Sequence, residues 1–183
     1  MRLAFIGIGM LLLMIGGASG QNVSDPDLVK QLQRLFPTAA TFSPKGGSPA
    51  VYKAFAAAPA GKTGELLGFA YWTTEIEPLE RGFDGPIKML VGLNMSGALT
   101  GIIVTENREP YGYFSVDLPE FAAQFKNKNI RDAFKVGADV DAISRATISV
   151  TSASRAIRNS SRKVARAYLT PPPGSAAPAP AAQ

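Results

Sequence analysis

The sequence predicts an α+β domain: a single antiparallel sheet built around a central hairpin, with flanking helices. Three observations carry this expectation. Residues 87–93 and 99–105 are apolar runs joined by Asn94-Met95-Ser96-Gly97, the pattern of two strands and a short glycine-bearing turn. Apolar residues recur at helical spacing on either side, at Leu28, Leu32, Leu35 and Phe36 before the hairpin and at Ile157, Val164 and Tyr168 after it. A chain of 183 residues is long enough for one core of ordinary size.

Residues 1–20 read as a secretory signal. Arg2 supplies the positive start, an apolar stretch follows, and Ala18 and Gly20 sit at the −3 and −1 positions of a small-residue cleavage site. The apolar run falls short of the roughly 20 residues that span a bilayer. An uncleaved N-terminal anchor is the alternative. No cysteine stands near the cleavage site, which excludes a lipoprotein.

A domain is expected over residues 25–169. Ser24 and Asp25 can cap a helix with Pro26 in its first turn, and Pro37 stops the run. Residues 38–49 read as loop, 51–55 as a short strand, and 66–76, rich in aromatic and branched residues, as a longer one. Residues 77–85 form a turn region. Residues 118–125 should be a helix capped by Asp117, and the last helix should run from about 152 to 169, capped by Ser152 or Ser154. The Pro- and Ala-rich residues 170–183 read as a disordered tail.

Composition then narrows the chemistry. The chain has no cysteine and no histidine, so thiolate nucleophiles, imidazole bases and histidine metal sites are excluded. No catalytic residue and no metal site can be named, and Glu75, Glu77 and Asp84 lack metal-ligand spacing. Demanding chemistry is left to a cofactor. The net charge is +5, and much of it lies near the end, at Arg145, Arg155, Arg158, Arg162, Lys163 and Arg166. In an exported protein such a stripe reads as a solvated helix face or a contact for anions rather than for nucleic acid.

The segment richest in information is Asp141-Ala-Ile-Ser144-Arg145-Ala146-Thr147-Ile148-Ser149. By itself it reads either as a Ser/Thr-rich strand leading to a capped helix or as an accessible hydroxyl among small residues. Asp141, Ser144, Ala146 and Thr147 resemble the attachment motif of the FMN-binding domain family, which runs Asp, two variable residues, Ser or Thr, Gly, Ala, Thr. Arg145 takes the glycine position. Gly82-Phe-Asp-Gly85-Pro86 and the hairpin after it look like that family's glycine turn and central strands. Leu35-Phe-Pro-Thr-Ala39 is similar to the N-terminal part of the periplasmic flavin domain of nitrous-oxide-reductase regulators. The resemblance spans residues 35 to 167.

It implies that Thr147 carries FMN through a phosphoester, surrounded by Asp141, Ser144, Arg145, Ala146 and Ile148, with Gly85 and Pro86 bringing backbone close to the flavin. A phosphodiester suits a helix N-terminus, and Arg145 offers a charge-assisted contact. Tyr111, Tyr113 and Phe114 could stack on the ring, whereas Tyr71 or Trp72 belongs to the core. Glu109-Pro-Tyr-Gly-Tyr-Phe114 stands where other members have Gly-Leu-Gly, so ring contacts do not carry over. The implied protein is an exported electron carrier at the outer face of the cytoplasmic membrane, periplasmic or anchored, rather than a stand-alone enzyme. It would receive FMN from a separate flavin transferase and exchange electrons with an unidentified membrane or periplasmic partner. A redox-sensing or assembly module, and a non-flavinated binding module of the same fold, are the rival readings.

Overall fold

The computed structural model describes residues 23–169; the expected signal segment and the Pro/Ala tail lie outside them. Helix α1 (Pro26–Leu35) begins as its sequence predicts. The Asp25 carboxylate accepts the N–H of Asp27 at 2.9 Å and of Leu28 at 3.4 Å, and Pro26 fills the first turn, where its missing N–H costs nothing.

Strands β1 (Thr41–Phe42), β2 (Tyr52–Phe55), β3 (Leu66–Trp72), β4 (Lys88–Asn94) and β5 (Leu99–Glu106) form one sheet. Neighbours follow chain order and every pairing is antiparallel. Strand β1 lies inside the expected loop at 38–49. Two residues are too few to show a period-2 pattern, and its inward residue, Phe42, is fixed by contacts distant in sequence.

Both faces of the sheet are covered. Phe69, Tyr71, Met89, Val91 and Leu93 point into one core, while Ala70 and Leu90 pack with Leu32 and Leu35 of α1 and with Phe36 just after it in the other. Burial on both sides explains why β3 and β4 read as continuous apolar runs rather than as alternating ones.

Strand β3 ends at Trp72, not at residue 76, and the chain turns into the short helix α2 (Thr73–Ile76). The buried Thr73 hydroxyl accepts the N–H of Met89 at 3.2 Å in place of a ladder bond, and its carbonyl accepts Glu77 N–H at 2.8 Å. A side chain thus takes over the strand pairing and frees the backbone to turn. Helix α3 (Pro119–Ala123) forms without the expected Asp117 cap. Leu118 precedes it, and Asp117 instead accepts the Asn107 amide at 2.6 Å.

Helix α4 (Thr147–Tyr168) starts at Thr147 rather than at 152. Ser152 and Ser154 are buried mid-helix, not caps; Ser154 Oγ donates to the Val150 carbonyl at 2.8 Å, one turn back. Its buried side is rich in Ser and Ala, which lets it lie close to the sheet, and the buried Tyr71 hydroxyl donates to Ser161 Oγ at 2.8 Å. Two ion pairs, Arg155–Glu80 at 2.7 Å and Lys163–Glu77 at 2.8 Å, hold the loop after α2 along this helix.

Candidate functional site

The start of α4 is set by the turn before it. The Ala146 N–H donates to the Ile143 carbonyl at 3.1 Å, and Arg145 sits in that turn with φ at 68°. That is the left-handed region, which glycine occupies freely and a residue with a Cβ occupies at a cost. The motif that residues 141–147 resemble has glycine at this place, and the dihedral gives the reason. Ala146 is buried beneath the helix end, so the chain emerges with Thr147 exposed as the first residue of α4. No side chain caps this end and no acidic residue lies in its first turn. Its N–H groups and its positive dipole end therefore favour an anion.

Thr147 lines a cleft of about 280 Å³ together with Phe83, Pro110, Tyr111, Arg145, Ile148 and Ser149. Large apolar side chains usually leave the surface, yet Phe83 is 68% exposed, Ile148 58% and Tyr111 43%. Here they line one cleft with Thr147.

Glu109 holds the two sides of the cleft together. Its carboxylate is buried and accepts the N–H of Phe83 at 2.9 Å and of Asp84 at 3.0 Å, while the Ser149 hydroxyl donates to it from α4. The loop carrying Phe83 is thereby tied to the first turn of the helix carrying Thr147. Gly82 permits this approach, since a Cβ there would lie 2.4 Å from a Glu109 oxygen. Gly85, with φ at 142°, closes the loop by accepting the Gly82 N–H at 2.7 Å.

Of the residues singled out from sequence, Arg145, Thr147 and Ile148 line the cleft, and Ser144 and Ala146 build the turn beneath it. Asp141 does not join them; it is exposed, and its N–H donates to the Gln124 side chain at 2.7 Å. Gly85 is buried within the Phe83 loop and Pro86 is exposed after it, neither of them lining the cleft. Tyr71 belongs to the core, Trp72 lies half-buried under the Lys88 ammonium, and Tyr113 rests edge-on against Phe114 outside the cleft. Glu75 and Glu77 pair with Lys45 and Lys163. Among the described residues no group of acidic side chains is placed to hold a metal ion.

Sequence reasoning passed over Phe83, Pro110 and Glu109 as site residues. A large aromatic inside the polar turn Gly82-Phe83-Asp84-Gly85 was an available signal for Phe83. For Glu109 there was none, because its burial appears only once the loop folds over it.

Residues 82–162 match the family model of the FMN-binding domain, a span that takes in the glycine turn, β4, β5, Glu109 and most of α4. No curated protein matches the chain. The residues present fit FMN at both ends of that molecule. An uncapped helix start, an exposed hydroxyl and a guanidinium suit the phosphate, and Phe83, Pro110, Tyr111 and Ile148 offer an apolar wall to the ring.

Proposed function

The chain carries a domain of the FMN-binding family and FMN is its cofactor; from that premise, we propose that it is an exported flavoprotein bearing FMN in phosphoester linkage to Thr147 and serving in electron transfer at the outer face of the cytoplasmic membrane. The observation carrying this reading is the position of Thr147: an exposed hydroxyl at the first residue of α4, opening on an apolar cleft. A separate flavin transferase installs the group, and the exposure of Thr147 supports access by such an enzyme. The link forms between Thr147 Oγ and the phosphorus of an activated flavin phosphoanhydride. Its P–O–P bond breaks as the displaced phosphate group and the Thr147 proton leave, so the chain's net gain is one FMN less one water.

When bound, FMN supplies one- and two-electron transfer. The chain's own residues anchor its phosphate, shield one side of its ring and leave the cleft mouth open to a membrane or periplasmic partner. Covalent anchoring matches an exported setting, where a dissociated cofactor is lost. Among the described residues no helix is long and apolar enough to cross a membrane.

The test is export of the full chain with a flavin transferase, followed by denaturing electrophoresis and in-gel flavin fluorescence. The parent and Thr147→Ser should give a fluorescent band and Thr147→Ala none. Equal fluorescence in Thr147→Ala would refute attachment at this residue.

A further inference from the structure

Arg145 keeps a backbone conformation that favours glycine, at φ 68°, and this exposed residue lines the cleft together with Thr147. Among the described residues its guanidinium has no hydrogen-bond or ion-pair partner. The nearest buried acid in the site, Glu109, is already engaged by the N–H groups of Phe83 and Asp84 and by the Ser149 hydroxyl. Nothing within the fold therefore rewards an arginine over glycine at this turn. We infer that Arg145 is a specificity residue whose guanidinium grips the flavin phosphate, making the cleft select FMN over flavins that lack a phosphate, at the expense of backbone strain in the unmodified chain.

The inference rests on the FMN reading of this cleft. Several features agree on it. A guanidinium presents a rigid fork of N–H donors suited to phosphate oxygens. The adjoining helix start is uncapped and has no acidic residue in its own first turn, and the neighbouring Glu109 carboxylate is already engaged by three donors, so the helix dipole and the guanidinium act on one anion. The apolar lining makes no distinction between phosphorylated and unphosphorylated ring systems, which leaves the phosphate contact to decide.

The experiment uses the full chain made without a transferase, so that binding is reversible. FMN and riboflavin are titrated into the parent, Arg145→Gly and Arg145→Lys, following flavin fluorescence, and the Tm of each unliganded protein is recorded. Arg145→Gly should weaken FMN about 10-fold and leave riboflavin unchanged. Arg145→Lys should fall in between, keeping the charge and losing the fork. The unliganded Arg145→Gly protein should melt about 3 °C higher, since glycine relieves the left-handed strain. Unchanged FMN affinity, an equal loss for both flavins, or no flavin binding by the parent would each overturn the inference. A lower Tm would overturn the strain argument. These outcomes are separate from attachment, which a mass measurement reads at Thr147 whatever Arg145 does.

Discussion

Glu109 is the connection on which the cleft's shape depends, and its replacement by glutamine tests that role. One carboxylate oxygen accepts the Phe83 N–H at 2.9 Å and the Ser149 hydroxyl; the other accepts the Asp84 N–H at 3.0 Å. Glutamine has a single oxygen, so whichever way its amide turns, an NH₂ group faces at least one donor in a buried site. One charge-assisted bond is lost, the remainder become neutral, and a backbone N–H is left without an acceptor. The expected cost is about 2–3 kcal/mol. Ser149→Ala removes one donor and should cost about 1 kcal/mol. Because both changes act on the Ser149–Glu109 bond, which glutamine makes neutral and alanine removes, the double variant should be more stable than additivity predicts by about 1 kcal/mol. Urea unfolding with an unchanged m-value is the assay. A Glu109→Gln variant within about 0.5 kcal/mol of the parent, or an additive cycle, would refute the view that Glu109 clamps the Phe83 loop to α4.

Gly82→Ala should destabilise by about 2 kcal/mol in the same assay, because the new Cβ would press on a Glu109 carboxylate held in place from three directions. Asp139 gives a pH-dependent prediction. Burial would raise its pKa, but bonds accepted from Lys135 N–H, the Lys128 ammonium and Phe134 N–H outweigh this and hold it below the ordinary carboxylate value. Its contribution is therefore present above the unfolded pKa and fades as pH falls through the lower folded value. Asp139→Asn should cost about 1–2 kcal/mol at pH 7 and markedly less at pH 3, read from denaturation midpoints at the two pH values.

The β4–β5 hairpin was legible because its information is local: two apolar runs and Asn94-Met95-Ser96-Gly97 between them. Asn94 Oδ1 indeed accepts the N–H groups of Ser96 and Ala98 within that turn, at 3.0 and 2.9 Å. The start of α4 was not legible. Ser152 and Ser154 look like caps, and only the packed structure shows them buried within the helix, with Ser154 bonding back along it. The consequence is functional, since it places Thr147 at the helix's first residue rather than ahead of the helix. Thr147, Arg145 and Ile148 could be found from the order of residues in one short segment. Glu109 could not, because an acid before a proline in an aromatic loop has the look of a solvated residue until Gly82 and Ser149 close around it. The same holds for Thr73, whose hydroxyl ends β3 by bonding across to Met89.

The most direct test of the central claim is intact-mass and peptide mass spectrometry on the full chain exported together with an active flavin transferase. Attachment predicts one added FMN less one water, mapped to the peptide containing Thr147 and absent from Thr147→Ala. An unmodified mass, with the transferase shown to flavinylate a known acceptor in the same cells, would contradict it.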